Sequence, residues 1–354
     1  MIRSVAILGA GIGAAHMDSF GELPDRFRVA TICDIDAERA RRVARRREGV
    51  AHTTDIDAVL ADPAIDIVDI CLPPALHFEV AERALNAGKA VICEKPLVDS
   101  LAEADALAAV VERTGGMLFP VFQYRYGIGA AQVRALIDAG LAGRCFAGSL
   151  ETHWDRNAEY YAVPWRGTWS GEKGGTLLGH AIHIHDLLSA LLGPVAQVFA
   201  DTATRVNAIE VEDCVALAIR MASGAPITSS VTLGAAGNMS RLRLCFEGFT
   251  VESDRAPYTP AASPWTFTAR APLAQDRIDA VLTRVPPARI GFAGLFEAVA
   301  DALDGTPGRE VTLADGRRSL EFVTAAYASA RANAPVALPL GSDHPMYRGW
   351  LPTA

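Results

Sequence analysis

The sequence predicts an α/β chain in two parts. A doubly wound parallel sheet is expected over residues 1–125. An α+β part with a large, mostly antiparallel open sheet is expected over residues 126–354. Three observations predict this. Short apolar strands alternate with helical patterns through the first third, which is the grammar of βαβ units. A glycine-rich turn, Gly9-Ala10-Gly11-Ile12-Gly13-Ala14, follows the first strand directly and opens a helix. After about Tyr126 the alternation gives way to long runs of β-branched and aromatic residues.

In order, Ser4 to Leu8 reads as a strand, Ile12 to Phe20 as a helix and Phe27 to Cys33 as the second strand. Ala37 to Arg47 reads as a basic helix and Ile65 to Cys71 as a buried strand. Leu76 to Ala87 reads as a helix closed by Gly88, and Ala90 to Cys93 as another strand. Leu101 to Thr114 is a further helix and Met117 to Phe122 a further apolar strand. Beyond these, a helix is expected over about Ala130 to Ala139. Strands are expected over Arg144 to Trp154, Val195 to Arg205, Cys214 to Met221, Ile227 to Leu233 and Arg241 to Val251. Ser223-Gly224-Ala225-Pro226 reads as a hairpin connection. A helix from Thr176 to Leu192 ends at Gly193-Pro194. Asp254 to Pro287 reads as a long loop. Helices over Ala293 to Leu303 and Leu313 to Arg331 are expected to pack back on the body.

The length of 354 residues gives room for two domains and a sizeable core. The net charge of -8 offers no electrostatic footprint for nucleic acid or an anionic membrane. No apolar stretch is long enough to span a bilayer. The opening Val5-Ala6-Ile7-Leu8 run is too short for a secretion signal. The six cysteines form no C-x-x-C pair and read as small buried hydrophobes, so a reduced, cytoplasmic setting is expected.

The turn Gly9-Ala10-Gly11-Ile12-Gly13-Ala14 fits the G-x-G-x-x-A fingerprint of a Rossmann dinucleotide site. Gly9 permits the tight turn, Gly11 lets the backbone approach a pyrophosphate, and Ala14 or Gly13 lets helix and strand pack closely. The phosphates would lie on the helix N-terminus. Asp34 ends the second strand, at the distance expected for a ribose contact. A carboxylate there repels a 2′-phosphate, so NAD is favoured over NADP. The arginines from Arg39 to Arg47 read as a solvated helix face. Glu94-Lys95-Pro96 stands where the buried strand Ala90 to Cys93 runs out, at the edge of the sheet where open α/β folds bind ligands.

These residues resemble the glucose–fructose oxidoreductase, inositol dehydrogenase and MocA-type family, over most of the chain. The likeness includes the Gly9-x-Gly11 turn with His16 after it. It includes Cys71-Leu72-Pro73-Pro74 with His77, and Ala87-Gly88-Lys89-Ala90-Val91-Ile92-Cys93-Glu94-Lys95-Pro96. It also includes Trp165-Arg166-Gly167, then Gly174-Gly175 followed by His183 and Asp186. The resemblance implies a Rossmann domain and an α/β domain with an open sheet, the substrate binding between them. It implies that Leu72, Pro73, His77 and Glu94 belong to the cofactor site. It implies a sugar, cyclitol or related polyol as substrate, and a homodimer or homotetramer joined through the C-terminal sheet. Two departures stand out. The glycine motif is one residue shorter before His16. Many relatives carry an Asp four residues before the helix histidine, where this chain has Gly179, followed by His180.

Oxidation of an alcohol needs a group to take the hydroxyl proton, and carbonyl reduction needs one to give it. Lys95 is the first candidate, either as acid–base group or as a cation polarising a carbonyl oxygen. His183 is the second, with Asp186 on the same helix face to orient it. His180 is expected to replace the absent Asp as substrate contact or proton partner. His180, His183 and His185 do not share one helical face, so no metal site is expected. The segment from His153 through Tyr160 to Arg166 suits a carbohydrate: aromatic faces pack on sugar C–H groups while arginine binds hydroxyls. Tyr160 and Arg166 are therefore expected to touch substrate, and Trp165 and Arg166 to lie near the nicotinamide. The main expectation is an NAD-dependent sugar or polyol dehydrogenase. The alternatives are an NAD-recycling glycosidase or lyase, and a non-enzymatic nucleotide-binding regulator.

Overall fold

The structure is a computed structural model, and it describes residues 1–352. The chain divides into two compact units. The first comprises Met1–Val121 with Phe292–Arg317, and the second comprises Phe122–Gly291 with the chain from Arg318 onward.

The first unit carries β1 (Arg3–Leu8), α1 (Gly13–Phe20), β2 (Phe27–Cys33), α2 (Ala37–Ala44), β3 (Ala51–Thr53) and α3 (Ile56–Ala61). It continues with β4 (Ile67–Ile70), α4 (His77–Asn86), β5 (Ala90–Cys93), α5 (Leu101–Thr114) and β6 (Leu118–Pro120). The six strands pair in parallel in the order β3-β2-β1-β4-β5-β6. That is the doubly wound Rossmann order, and its switch point lies between β1 and β4. Val5, Ile7 and Leu8 on β1, with Val68 on β4 and Ile92 on β5, are fully buried, as expected of strands covered on both faces. Ser100 caps α5 by accepting the Glu103 N–H, and Gly115 closes it at φ 65°. The sequence pattern showed nothing between α2 and β4, where β3 and α3 lie. Both are shorter than the window in which periodicity is visible, and β3 is a half-exposed edge strand.

The second unit carries α6 (Ile128–Asp138), β7 (Cys145–Asp155), α7 (Trp169–Glu172), α8 (Ile182–Leu192), β8 (Val195–Ala203) and β9 (Cys214–Met221). It goes on with β10 (Pro226–Thr232), β11 (Gly234–Phe246), β12 (Phe249–Glu252), β13 (Thr266–Ala269) and α9 (Gln275–Leu282). The chain ends with α10 (Gly291–Leu303), whose residues from Phe292 belong to the first unit, α11 (Leu313–Ala332), and the short strand β14 (Val336–Ala337) of the second unit's sheet. The eight strands order as β13-β12-β11-β7-β10-β9-β8-β14. Only β7 and β10 pair in parallel; the other neighbours are antiparallel. Register is fixed by burial. Ile227, Ser229 and Val231 on β10 face Ile219, Leu217 and Val215 on β9, all buried, while Thr228 and Ser230 point to the exposed face beside Ala218 and Ala216. A slip of one residue would turn the buried row to solvent. Helix α8 and β10 are joined by His185 Nε2 and Ser229 Oγ at 2.9 Å, and α11 is tied to β8 where Ser329 Oγ accepts the Ala200 N–H.

Three expectations are corrected here. The run Arg241 to Val251 is not one strand but the end of β11 and the start of β12, turned at Glu247-Gly248. A Cβ at Gly248 would lie 2.0 Å from the Leu141 carbonyl oxygen, a close approach that pattern alone does not reveal. The stretch from Asp254 to Pro287 is not all loop, since β13 and α9 form within it. The helix from Thr176 to Leu192 starts as a π-turn, Leu177–Ala181, before α8 begins. Its entry is held from a distance. Glu212 accepts the N–H groups of Gly175 and Leu177, each at 3.0 Å, and its carbonyl accepts that of Thr176 at 2.8 Å.

Candidate active site

In the first unit the glycine turn connects β1 to α1. Gly9 sits at φ 100°, and a Cβ there would lie 2.3 Å from the Cys71 carbonyl oxygen, so only glycine fits. A Cβ on Gly13 would lie 2.6 Å from Ile7 Cγ2, which makes Gly13 the close helix–strand contact. A Cβ on Gly11 would meet nothing within 4 Å. The backbone there is open for a pyrophosphate to approach, at the N-terminal end of α1. Ile12 beside it is exposed. Asp34 is fixed from both sides, Oδ2 accepting the Ala10 N–H at 2.7 Å and Oδ1 the Asp36 N–H at 2.9 Å. Arg39 Nη1 stands 3.6 Å from Asp34 Oδ2, so this exposed arginine reaches the Asp34 carboxylate from the solvated helix face. An open turn, a helix start and a fixed carboxylate are the donor set a dinucleotide requires, and these residues fit it.

Lys95 stands two residues past the end of β5 and is half-buried. Glu94 Oε2 accepts the Lys95 backbone N–H at 3.0 Å, and Glu94 Oε1 lies 3.2 Å from His16 Nε2. The other ring nitrogen of His16 lies 2.9 Å from Asp69 Oδ2. His16 thus bridges two carboxylates under the end of β5, with no exposure of its own. Burial opposes a charge on the ring, but the Asp69 carboxylate outweighs it, so the His16 pKa is raised well above the ordinary value. Cys71 Sγ lies 3.4 Å from His16 Nδ1, and burial pushes its thiol up to about 12. Ligand atoms of His16, Asp69 and Cys71 all lie within 4.8 Å of one another. Their mutual bonds and the neutral thiol account for them as a hydrogen-bonded network. His77 is fully buried. Its ring nitrogens lie 2.7 Å from the Pro96 carbonyl oxygen and 2.8 Å from that of Leu72, so it ties the loop after Lys95 to the Leu72-Pro73 loop after β4.

In the second unit the π-turn and α8 present three histidines in different surroundings. His183 stacks on Tyr124 with ring centroids 4.8 Å apart and meets Phe122 edge-on. The Tyr124 hydroxyl donates to the Pro257 carbonyl. Asp186 takes a bidentate ion pair from Arg125, at 2.7 Å from Nε and 2.5 Å from Nη2. His180 Nε2 lies 3.4 Å from the Tyr160 hydroxyl, and its ring meets Trp154 edge-on at 5.2 Å. Burial pushes His185 down to about 3, and it stays neutral in the core against Ser229 and Phe322. Arg166 lies over the Tyr160 ring at 4.0 Å and over Trp165 at 4.8 Å, with Glu172 at 3.7 Å. Burial raises the Tyr160 pKa, which the nearby Arg166 offsets in part, so it remains a hydrogen-bonding phenol.

The expected residues therefore fall into two groups. Gly9, Gly11, Gly13, Asp34, Leu72, Pro73, His77, Glu94 and Lys95 lie at the carboxyl end of the parallel sheet. Tyr160, Trp165, Arg166 and His180 form a contiguous patch in the second unit, with His183 one helical turn on. Sequence reasoning did not single out Asp69, Tyr124, Arg125, Glu212 or Tyr258, and took Arg156 only as a member of the His153 to Arg166 segment. Tyr124, Arg125, Glu212 and Tyr258 act through partners far away in the chain. The one signal available was the density of aromatic and charged residues from His153 to Arg166.

Comparison with known proteins agrees with this geometry. Residues 3–122 match the family described as oxidoreductase family, NAD-binding Rossmann fold. Residues 130–252 match the GFO/IDH/MocA C-terminal domain. Levoglucosan dehydrogenase of Pseudarthrobacter phenanthrenivorans is 31% identical over 211 residues, 57% of this chain and 54% of that protein. Inositol 2-dehydrogenase of Streptomyces avermitilis is 34% identical over 145 residues, 40% of this chain and 42% of that protein. The chain spans between about half and two thirds of the first curated relatives it matches. The crystal structure of the WlbA dehydrogenase from Bordetella pertussis, in complex with NADH and UDP-GlcNAcA, is similar over 96% of this chain and all of that one, with a TM-score of 0.84 and 28% identity. Among the described residues, no helix is long and apolar enough to cross a membrane. The chain is thus a member of the Gfo/Idh/MocA oxidoreductase family, with the family's NAD-binding Rossmann fold in its first unit and its C-terminal domain in the second.

Proposed function

We propose that this protein is an NAD-dependent dehydrogenase that acts on a hydroxyl or carbonyl carbon of a sugar, sugar derivative or cyclitol. The observation that carries the reading is the placement of Lys95. It leaves the carboxyl end of β5, next to the β1–β4 switch point, with its backbone N–H held by a glutamate that is itself held by His16. When bound there, NAD supplies the redox chemistry. Lys95 moves the proton of the reacting oxygen, and His183, braced by Tyr124, shares that proton or holds the oxygen in place. Tyr160, Arg166 and His180 bind and orient the substrate. Glu94 and His77 position the Lys95 loop. Asp34 selects NAD over NADP by charge. Levoglucosan dehydrogenase and inositol 2-dehydrogenase among the relatives, and the nucleotide sugar in the WlbA complex, support a carbohydrate substrate. The exposed face of the eight-stranded sheet, rich in small residues such as Ala216, Ala218, Thr228 and Ser230, is proposed to join subunits.

The test is net NADH formation from NAD over a panel of aldoses, uronic acids, anhydrosugars and cyclitols. A dehydrogenase accumulates NADH with at least one class. Cleavage of glycosides with no net NADH would replace this reading with the cofactor-recycling one.

A further inference from the structure

The patch around Arg156 holds a positive charge that the protein does not balance, and we propose that it is an anion subsite: the substrate carries a carboxylate or phosphate group that Arg156 receives. The proposal rests on the reading of the second unit's histidine and aromatic patch as a substrate site, and it adds the substrate's charge.

Arg156 follows β7 and is half-buried. Its guanidinium carbon lies 4.8 Å from the ring centre of Trp154, 5.0 Å from that of Tyr160 and 6.0 Å from that of Tyr258. Its bonded partners are all neutral. Nη1 donates to the Asp155 carbonyl at 2.6 Å and to Asn238 Oδ1 at 3.3 Å, and Nη2 donates to the Tyr258 hydroxyl at 3.0 Å. Its buried Nε has no partner. Among the described residues no carboxylate oxygen approaches it within the 4.0 Å of an ion pair. Arg166, which shares the Tyr160 ring, has Glu172 at 3.7 Å, and Arg125 has Asp186. Two guanidinium groups thus flank one tyrosine with a single carboxylate between them.

A half-buried cation without a counter-charge is costly to hold, and rings alone recover only part of that cost. Arginine's fork matches carboxylate and phosphate better than it matches a sugar hydroxyl. The rim is open, since Tyr258 is 49% and Trp165 39% exposed. The subsite also connects to the proposed chemistry: Trp154 and Tyr160 both contact Arg156 and His180, so an anion there stands one side chain away from the histidine pair.

The test is calorimetric titration of the NADH-loaded protein with D-glucose, D-glucuronate and the terminal phosphate ester of D-glucose, and with the same three forms of galactose. Expected is binding of at least one charged form about tenfold or more tighter than its neutral parent. The carboxylate and phosphate arms show which anion is preferred. Arg156→Gln is expected to remove that margin while changing the neutral sugar's affinity less than about threefold, and Arg156→Lys to keep part of it. Thermal unfolding of both variants separates loss of the subsite from loss of the fold. Equal affinity for neutral and charged forms, no binding of either charged form, or an equal loss for every sugar in folded Arg156→Gln would overturn the proposal. A charge preference without NADH formation in parallel turnover assays would uphold the subsite and count against the dehydrogenase reading.

Discussion

Asp34 has both carboxylate oxygens engaged by backbone N–H groups, from Ala10 and Asp36, so its charge is held at the end of β2 and cannot swing away from a ligand. A 2′-phosphate placed there would meet a fixed like charge, at a cost of several kcal/mol. Arg39, 3.6 Å from Asp34 Oδ2, is positioned to receive that phosphate once the carboxylate is neutralised. Asp34→Asn keeps the shape and removes the charge. Fluorescence titration should show NADPH binding about tenfold or more tighter than to the parent protein, with NADH weakened. An unmoved ratio of the two affinities would remove Asp34 from the ribose contact. The same fixing explains why this residue was legible from sequence. Its place after β2 and its distance from Gly9 are set within one βαβ unit, whereas the partners of Arg156, Tyr258 and Asn238, lie 102 and 82 residues along the chain.

At the level of elements, two buried networks fix the pieces that present the site. His16 joins α1 to β4 through Asp69 and to the end of β5 through Glu94. Removing it leaves two buried carboxylates without their shared partner, so His16→Gln should cost about 3–5 kcal/mol in urea unfolding. The sign with pH follows from the raised imidazole pKa. The stabilisation is full below the ordinary value of 6.5 and is lost as pH rises through the folded value, so the gap between parent and variant should narrow in alkali. A gap that widens with pH would mean that His16 is neutral in the fold. Glu212 plays the corresponding part in the second unit, holding Gly175 and Leu177 at the entry to the π-turn and accepting from Tyr327. Burial raises its pKa from 4.5 to about 7, against the backbone donors that lower it. A raised carboxyl stabilises fully below its unfolded value and less as pH climbs to its folded one. The parent protein should therefore lose about 3 kcal/mol relative to Glu212→Gln between those two pH values. Parallel stability–pH curves for the two proteins would show that Glu212 titrates normally. This bond from Glu212 is also why the π-turn was not legible. The sequence shows one helix from Thr176, and the residue that reshapes its first turn lies 35 to 37 positions later.

For the molecule as a whole, the alternation of strands and helices and the glycine turn made the parallel sheet legible, and the β-rich second half made the open sheet legible. The missing pieces were the three-residue β3, the turn at Gly248 and the helix α9 inside a proline-rich stretch, where local pattern is weak and tertiary packing decides. The site residues were legible where a motif is compact, as at Gly9 to Gly13 and at Glu94-Lys95-Pro96. Arg156 was legible only as part of a segment, because its partners Asn238 and Tyr258 lie far along the chain. The proposed function depends above all on Lys95, at the mouth of the parallel sheet, transferring the proton of the reacting oxygen. The most direct measurement is steady-state turnover of Lys95→Ala on the substrate found in the panel, alongside NADH titration of the same protein. The expected result is a fall in kcat of about 10²- to 10⁴-fold, with NADH affinity changed less than about threefold. A kcat within about tenfold of the parent's, with NADH still bound, would contradict it.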